Sequence, residues 1–477
     1  MSSRSRDRVD LCVIGAGAAG LTTAALAGQL GARTVLIERG EMGGECLNTG
    51  CVPSKALLAA GKAVEAVREA GRFGVNGAVS NVDFAAVRRH VQGVIAAIAP
   101  HDSAERFAAL GVDVVRAEAR FVGPREIVAG NRTIRARRVV IATGSEPAIP
   151  PIPGIQSVPY FTNETIWDSD RLPDRLVIVG AGAVGVELAQ AFRRLGAAVA
   201  IVEAARAMPR DDRELAQMLL RRLSDEGIDI RERAEIKSAE PIPTGVALDV
   251  ASDGRRFRVE GSHLLIAAGR RPRIDGLGLD RAGVRYDRRG IAVDRRLRTT
   301  AAGVFAIGDA IDAPHLTHIA GYHAGIVIRN ALFRIPAKVD YASLPWVTYT
   351  DPELAQVGAT EAEARGRHGD DVRVVRLPVG ESDRAQTERR TAGLVKIAAR
   401  RNGQILGASI LAAHAGELAH LWVLAIERRL KLKHVASMLA PYPTWGEANK
   451  MAAAEFYKPR LFGAWTRRLV RALSRLP

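Results

Sequence analysis

The sequence predicts an α/β protein made of two related parts and a smaller α+β part, and three observations support this fold class. The segments 11–38 and 176–203 resemble each other. Each has an apolar strand-like run, a glycine-rich turn, a helical pattern and a second apolar run that ends in glutamate. Beyond about residue 339 the pattern changes to short strand-like segments and then to two helical stretches. A chain of 477 residues has room for about three domains of roughly 150 residues each.

The glycine-rich turns have the spacing G-x-G-x-x-G, which is typical of Rossmann-type dinucleotide-binding domains. The first glycine makes a tight turn, the second lets the backbone approach a pyrophosphate, and the third lets the helix pack closely on the strand. The glutamate lies 23 residues after the first glycine in both segments and accepts hydrogen bonds from a ribose. The residues are Gly15, Gly17, Gly20 and Glu38, and Gly180, Gly182, Gly185 and Glu203. The sequence therefore predicts two bound dinucleotides.

Domain boundaries follow from the linkers. A proline-rich turn at 142–154 places one boundary near residue 150, and a second boundary follows the apolar run 264–273. We predict three domains: a discontinuous domain (1–150 and 270–338), an inserted domain (151–269) and a C-terminal domain (339–477).

The composition excludes several classes of protein. The formal charge is +16, but 59 of the 68 basic residues are arginines scattered along the chain and aromatic residues make up only 5%. We therefore expect no nucleic-acid partner. Three cysteines are too few for a secreted disulfide scaffold, and Cys12 in the first strand is expected to be a core residue. No signal-peptide core or membrane-spanning stretch is visible, which predicts a cytoplasmic protein.

Two cysteines lie directly after the first repeat. Cys46 and Cys51 are separated by four residues at the start of a helical pattern. In an ideal helix their Cα atoms would be about 8.7 Å apart, whereas a disulfide requires roughly 4.4–6.8 Å. A bond therefore needs a distorted first turn, which Gly50 and Pro53 permit. The alternative is that both cysteines are small buried apolar residues.

The segment 43–55, GGECLNTGCVPSK, resembles the redox signature of the class I pyridine nucleotide-disulfide oxidoreductases, which include dihydrolipoamide dehydrogenase and mercuric reductase. The resemblance covers nearly the whole chain. It implies that the first Rossmann domain binds FAD, that the second binds NAD(P)H and that Cys46 and Cys51 form a redox-active disulfide. It also implies a homodimer, held by the C-terminal domain, whose active sites are shared between subunits.

The resemblance assigns further residues to the FAD site. They are Gly43, Gly44, Lys55, Ala119, Ala142, Thr143, Gly144, Gly308, Asp309 and His318. In the family, Asp309 corresponds to the acid on the ribityl chain, the backbone at Ala119 to the adenine contact, and His318 to a helix start beside the flavin ring. Lys55 matches the lysine near the flavin N5, and Glu187 matches the carboxylate that pairs with this lysine.

The nicotinamide nucleotide site is implied by the second fingerprint together with Gly269. A carboxylate such as Glu203 hydrogen-bonds a ribose 2′-OH and repels a 2′-phosphate. Because Ala204, Ala205 and Arg206 follow it, no compact basic pocket is visible. The sequence favours NADH over NADPH.

The resemblance also implies the direction of electron flow, from NADH through FAD to the disulfide. Cys51 corresponds to the sulfur beside the flavin, held as a thiolate, and Cys46 to the sulfur that meets the external substrate. Lys55, oriented by Glu187, corresponds to the group that stabilises negative charge on the flavin.

The C-terminal domain departs from the pattern of the disulfide-reducing members at one position. Tyr442 stands where those enzymes have a histidine base, whereas Glu447 is retained. A phenol with a pKa of about 10 is a poor base at neutral pH. Mercuric reductase has a tyrosine here too, but it also uses a C-terminal cysteine pair that this chain lacks. Tyr442 is either a substitute for the histidine or a packing residue at the dimer interface.

The acceptor stays open at this point: a disulfide, a soft metal ion or another small oxidant. One alternative is a diaphorase or quinone reductase in which the flavin passes electrons on directly. A second alternative is a membrane-docked redox sensor or partner protein that uses the basic tail, residues 458–477.

Two other features have competing interpretations. The tail has a helical pattern with leucines and Trp465 on one face. This face either packs on the dimer, which we favour, or lies on an anionic membrane surface. His315, His318 and His323 cluster in the sequence, but no further ligand lies at metal-site spacing, so no metal site is expected.

Overall fold

The computed structural model describes residues 6–79 and 81–476, and it divides into two compact units. The first unit holds the described residues up to 180, together with 194–202 and 234–339. The second unit holds 181–193, 203–233 and the described residues from 340 onward. Both units mix helices and sheets, as the predicted α/β class requires.

A seven-stranded sheet forms the core of the first unit. The carboxyl-terminal halves of its middle strands are apolar, and Leu11, Cys12 and Val139 there are completely buried. Cys12 is thus a core residue, as predicted. The strands, in the order in which they pair, are Val112–Arg116, Thr34–Glu38, Arg6–Ile14, Arg132–Ile141, Glu126–Ala129 and Ala119–Gly123, and Val304–Ala306 also pairs with Arg132–Ile141.

The order of these strands positions a ligand site. The helix Ala18–Gln29 leads from Arg6–Ile14 to its neighbour Thr34–Glu38, whereas the strand on its other side, Arg132–Ile141, comes much later in the chain. All three strands are parallel. The carboxyl ends of Arg6–Ile14 and Arg132–Ile141 therefore form a topological switch point, where dinucleotides bind in sheets of this kind.

A second parallel sheet in the first unit repeats the arrangement. The strands of this sheet that belong to the first unit are, in order of pairing, Ala198–Val202, Arg175–Val179, His263–Ile266 and Phe161–Thr162. The antiparallel strands of the same unit are Glu235–Ile242, Gly245–Ser252 and Arg255–Gly261, the pair Ser145–Pro147 and Arg270–Pro272, and the pair Tyr286–Asp287 and Gly290–Ile291. The remaining α-helices of this unit are Gly44–Asn48, Cys51–Glu69, Phe84–Ile98, Ala104–Ala109, Leu279–Ala282 and Thr317–Ile328.

The second unit is built on a five-stranded antiparallel sheet. In order of pairing its strands are Pro345–Thr348, Glu353–Gly358, Ile405–Ala412, Leu394–Arg400 and Val372–Pro378. The α-helices of this unit are Arg213–Asp225, Glu361–His368, Asp383–Thr387, Ala415–Glu427, Leu432–Ala436, Glu447–Glu455, Lys458–Leu461 and Ala464–Leu473, and Ile228–Arg231 is a further strand. The helix Ala183–Leu195 begins in this unit and ends in the first.

The end of the chain contains more helices than predicted. The sequence suggested two helical stretches after the last strand, whereas five helices follow Ile405–Ala412. Trp422 anchors the longest of them: it is completely buried and its indole Nε1 donates to Asn449 Oδ1 at 2.8 Å. No helix among the described residues is long and apolar enough to span a bilayer.

Candidate active site

The first glycine-rich turn brings three backbone segments into direct contact. Gly15 has a φ of +103°, and a Cβ atom there would lie 2.4 Å from Ala142 O. A Cβ on Gly20 would lie 1.8 Å from Gly15 O, and one on Gly44 would lie 2.6 Å from Gly17 Cα. Only glycine fits these positions. The predicted FAD residues of the first fingerprint, of the loop before Cys46 and of the 142–144 turn therefore meet at one place.

This place fits a dinucleotide pyrophosphate. The helix Ala18–Gln29 begins at Gly17 without a side-chain cap, so its first N–H groups remain free for an anion. The space beside Gly17 is open, since a Cβ there would meet only Gly44 Cα, at 3.9 Å. Thr143 Oγ1 is buried and has no hydrogen-bond partner in the described part of the chain. An orphaned hydroxyl beside free N–H groups indicates a polar ligand.

The two acidic residues of the repeats adopt the same local geometry. Glu38 accepts hydrogen bonds from Ala16 N at 2.5 Å and from Gly40 N at 2.7 Å. In the second unit, Glu203 accepts from Ala181 N at 2.9 Å and from Ala205 N at 2.8 Å. Each carboxylate is therefore held at the edge of its own glycine turn, where a ribose is expected.

The second glycine turn repeats the first. Gly180 has a φ of +107°, and a Cβ there would lie 2.4 Å from Ala267 O. Gly269, with a φ of +139°, faces open space. In the second unit, Gly182 also has open space beside it and Gly185 is buried, as the packing and ligand roles of these glycines require.

The two cysteines lie on separate short and long helices, so the distortion that the sequence required between them is a complete break. Cys46 belongs to the short helix Gly44–Asn48, and Cys51 is the first residue of Cys51–Glu69. The chain leaves helical geometry at Thr49 and Gly50. Gly50 has a φ of −116° and a ψ of −109°. The break falls at the glycine that the sequence identified as permitting distortion.

The two sulfur atoms are not joined in a disulfide in this structure, and both lie near one hydroxyl. Thr317, which begins the helix Thr317–Ile328, has its Oγ1 atom 3.4 Å from Cys46 Sγ and 3.5 Å from Cys51 Sγ. A hydrogen bond to Cys51 raises the pKa of Cys46, and burial of Cys46 raises it further. Cys46 therefore holds its proton more firmly, whereas Cys51 lies exposed at a helix N-terminus, a position that favours a thiolate.

A polar network connects the cysteine segment to the predicted flavin acid. Glu45 accepts hydrogen bonds from Asn163 Nδ2 at 2.9 Å and from the Arg270 guanidinium. Arg270 Nε donates to Ser145 Oγ at 2.8 Å, and Ser145 Oγ donates to Asp309 Oδ2 at 2.7 Å. Sequence reasoning missed Glu45, Asn163, Ser145 and Arg270. The available signal was position, because Ser145 and Arg270 directly follow two predicted glycines.

The protonation of Glu45 depends on this setting. Burial raises the pKa of Glu45 from 4.5 to about 7, and it outweighs the positive charge of Arg270; the negative charges of Asp309 and Glu164 raise it further. Because the folded protein binds this proton more tightly than the unfolded chain, the stabilising effect is full below about pH 4.5. It is lost as the pH rises toward about 7.

We expect the melting temperature of the wild type, relative to that of Glu45→Gln, to fall as the pH rises from about 5 to about 7. Glutamine cannot lose a proton, so the variant lacks this titration. The measurement is thermal unfolding of both proteins across this pH range. Glu41→Gln is the matched control, since the Glu41 side chain is 80% exposed. Parallel curves for the wild type and Glu45→Gln would contradict the prediction.

The remaining residues predicted for the flavin site lie in the first unit. Lys55 Nζ is 3.5 Å from Ser54 Oγ on the helix that Cys51 begins. Ala119 begins a strand and is buried. His318 is exposed at the second position of Thr317–Ile328. Three other residues assigned to the FAD site, Gly43, Gly144 and Gly308, all have positive φ angles, as tight turns require.

His323 has a structural role that the sequence did not suggest. It is completely buried, and its Nδ1 atom accepts a hydrogen bond from Gly308 N at 3.2 Å. Burial lowers the pKa of His323 to about 4, so the neutral ring holds the turn that carries Asp309. The described residues contain no group of three or more His, Cys, Asp or Glu side chains placed to hold a metal ion.

The second unit contains the other predicted catalytic residues. Glu187 is buried and accepts a hydrogen bond from Tyr349 N at 2.8 Å; its pairing with Lys55 stays a prediction. Tyr442 is 69% exposed, and its hydroxyl donates to Asp383 Oδ2 at 2.7 Å. This hydrogen bond and the negative charge of Asp383 raise the pKa of Tyr442. Glu447 begins the helix Glu447–Glu455.

Comparison with protein families gives two matches that together span most of the chain. Residues 9–324 match the family described as pyridine nucleotide-disulphide oxidoreductase. Residues 344–453 match the dimerisation domain of the pyridine nucleotide-disulphide oxidoreductases.

Individual proteins are similar over nearly their whole length. A dihydrolipoyl dehydrogenase of Thermus scotoductus is 37% identical over 461 residues, covering 94% of this chain and 97% of its own. A mercuric reductase of Streptomyces lividans is 36% identical over 455 residues, covering 94% and 96%. The solved Cu(II) complex of the HOCl-induced flavoprotein disulfide reductase RclA from Escherichia coli is 28% identical, with a TM-score of 0.84 and coverage of 94% and 99%.

Proposed function

Because the chain belongs to the pyridine nucleotide-disulphide oxidoreductase family, we propose that its cysteine pair delivers electrons from NADH to a soft metal ion or another small oxidant. Members of this family use FAD and NAD(P)H, and the enzyme is an FAD-dependent oxidoreductase with a redox-active disulfide. The dimerisation domain supports a homodimer. The acceptor, the preference for NADH and the residue roles below are our proposal.

The first unit offers the residues that would hold FAD. They are Gly15, Gly17, Gly20, Glu38, Gly43, Gly44, Ala119, Ala142, Thr143, Gly144, Gly308, Asp309 and His318. The glycine contacts and the orphaned Thr143 hydroxyl support this assignment. When bound, FAD carries an electron pair between the nicotinamide nucleotide and the cysteines. Gly180, Gly182, Gly185, Glu203 and Gly269 are assigned to the nicotinamide nucleotide.

The surroundings of the two cysteines differ, and this difference supports our assignment of the protonated and the ionised sulfur. Cys46 keeps its proton because its hydrogen bond to Cys51 raises its pKa, so Cys51 is the sulfur that carries negative charge. Thr317 Oγ1 lies within 3.5 Å of both sulfurs and can donate to whichever is ionised. Closing the Cys46–Cys51 disulfide releases two electrons and the proton of Cys46, and the turnover is completed by one acceptor that takes both electrons or by two acceptors that take one each.

The tyrosine at position 442 is our reason for proposing a metal ion, and not a dithiol, as the reaction partner of the cysteine pair. Exchange with a dithiol needs a base that takes the proton of the attacking thiol. Tyr442 stands at the position of that base, but its hydrogen bond to Asp383 raises a pKa that is already near 10. A soft metal ion binds thiolate sulfur directly and displaces the thiol proton to water, so it does not need a side-chain base. Two similar proteins support this choice, because one is named mercuric reductase and another was solved as a Cu(II) complex.

The test is steady-state oxidation of NADH and NADPH by the FAD-loaded enzyme with a panel of acceptors. The panel contains Hg(II), Cu(II), a quinone, lipoamide and glutathione disulfide. We expect NADH to be preferred, because Glu203 repels a 2′-phosphate, and turnover with a metal ion to exceed turnover with either disulfide. Faster turnover with lipoamide would contradict the proposed acceptor.

The Cys46→Ala variant separates this proposal from a diaphorase. We expect it to lose turnover with the metal ion while it keeps FAD, because the sulfur that we assign to the external substrate is gone. Retained turnover with a quinone alone would show that electrons leave the flavin directly. In that case the enzyme is a quinone reductase, and the cysteine pair has a regulatory or structural role.

A further inference from the structure

The C-terminal segment 458–476, here called the tail, contains a helix whose apolar side chains are exposed to solvent. Trp465, Leu469, Val470 and Leu473 lie on the helix Ala464–Leu473 and are between 40% and 74% exposed. No residue of this helix is buried. An uncovered apolar face of this size marks an interaction surface.

Two series of residues run along the tail on opposite sides. Trp465, Leu469 and Leu473 recur every four residues and are all apolar. Arg467 and Arg471 recur at the same interval, offset by two residues, which places them about 200° around the helix from the apolar series. The helix is therefore divided lengthwise into an apolar face and a cationic face.

Most of the positive charge of the tail is not balanced by nearby acidic side chains of the described residues. Residues 458–476 contain six basic and no acidic side chains. Lys458 pairs with Glu455, whereas Arg467, Arg468 and Arg471 form no ion pair with the residues that the structure describes. These arginines are free to bind anionic groups.

We propose that the tail docks the enzyme on the surface of an anionic lipid bilayer. The helix lies in the plane of the interface, with Trp465, Leu469 and Leu473 among the acyl chains and the arginines at the phosphate groups. Segregated apolar and arginine-rich faces are the composition that binds helices to anionic membranes. The alternative occupant is the apolar surface of a second copy of the chain.

Charge favours the membrane over the second copy. A protein interface that covered the apolar face would also bring the five arginines of each tail close to another chain whose net charge is positive. The match to the dimerisation domain ends at residue 453, so the tail follows the segment that the family uses for dimerisation. A lipid surface supplies the negative charge that this chain lacks.

The test is co-sedimentation of the FAD-loaded full-length enzyme with vesicles of phosphatidylcholine alone or phosphatidylcholine with one-third phosphatidylglycerol. Each arginine near an anionic surface strengthens binding about fivefold. We therefore expect at least about tenfold tighter binding to the anionic vesicles. Binding should weaken strongly in 1 M salt, where the Debye length is only about 3 Å.

Paired variants identify the tail as the cause. Arg467→Glu/Arg471→Glu is expected to weaken binding at least about 25-fold, and Trp465→Ala/Leu469→Ala should weaken it as well. The matched control is Arg255→Glu/Arg256→Glu, which makes the same charge change on an exposed strand and should bind as the wild type does. NADH oxidation and FAD content should be unchanged in all of these proteins.

Two results would overturn the proposal. One is equal binding to neutral and anionic vesicles, or equal binding by the wild type and the tail variants. The other is a wild-type enzyme that ignores vesicles while Trp465→Ala/Leu469→Ala sediments as a monomer in analytical ultracentrifugation. That second result would assign the tail to the interface between two copies.

Discussion

The Cys51→Ser variant is expected to lose at least about a thousandfold in turnover with an acceptor that needs the thiols, while FAD stays bound. Serine cannot form the disulfide or carry the negative charge that we assign to Cys51. FAD should remain because the close glycine turn assigned to its pyrophosphate, where Gly15 and Gly20 approach Ala142 O and Gly15 O, does not depend on the Cys51 side chain.

The measurement that is most specific to Cys51 is optical. A thiolate that lies against an oxidised flavin gives a long-wavelength absorbance band, and we expect this band in the NADH-treated wild type but not in Cys51→Ser. Cys46→Ser should retain the band at neutral pH, because the lone sulfur is then the exposed one at the helix N-terminus. Cys46→Ser should nevertheless lose turnover, since no disulfide can close.

Cys12→Ala is the control for these variants. Cys12 is completely buried, and burial raises its pKa to about 12, so it cannot replace either reactive thiol. Both the band and the turnover should survive its substitution. If the band were retained in Cys51→Ser and lost in Cys46→Ser, the roles assigned to the two sulfurs would be reversed.

The parts of this site that the sequence predicted are those with local signals. The turn from Gly15 to Gly20 and the acid at Glu38 follow from spacing, because backbone contact and helix packing leave no alternative to glycine there. Thr317 had no such signal: it lies 266 residues from Cys51 in the chain, and only the tertiary fold brings its hydroxyl between the sulfurs.

The break between the two cysteine helices is a second feature that local sequence patterns could not predict. Residues 46–51 have a helical pattern, and the sequence offered Gly50 and Pro53 as residues that permit a distortion. In the structure, Trp167 Nε1 donates to Thr49 O at 2.9 Å, which satisfies a carbonyl that a continuous helix would use internally. This contact over 118 residues of sequence favours the break, and local sequence patterns do not contain it.

The Lys396→Met variant is expected to lower the free energy of unfolding of the second unit by about 3–5 kcal/mol. Lys396 is a charged residue in the strand Leu394–Arg400, and its side chain is 6% exposed. Its Nζ atom lies 2.9 Å from Asp212, 3.0 Å from Glu214 and 2.7 Å from Glu361. Removing the cation leaves the 3% exposed Asp212 carboxylate without its partner.

The size of this effect comes from burial, and two further variants test that cause. Lys237→Met removes a lysine that pairs with Glu235, but both side chains are at least 40% exposed, so it should cost no more than about 1 kcal/mol. Lys396→Met/Asp212→Asn should recover part of the loss. Asparagine removes the unpaired charge yet still caps the helix Arg213–Asp225, whose N-cap is Asp212. The measurement is urea unfolding followed by circular dichroism.

The acid dependence of the same variants provides an independent check. Partial burial disfavours the ionised form of Glu361, but hydrogen bonds from Lys396 and Arg365 outweigh it and lower the pKa of Glu361 to about 2. A lowered carboxyl pKa stabilises the folded state above the ordinary value of 4.5, and this stabilisation is lost as the pH falls from there toward 2. The stability difference between the wild type and Lys396→Met should therefore shrink steadily below about pH 4.5. A difference that stayed constant into acid would mean that lost packing of the lysine side chain, and not its charge, destabilises the variant.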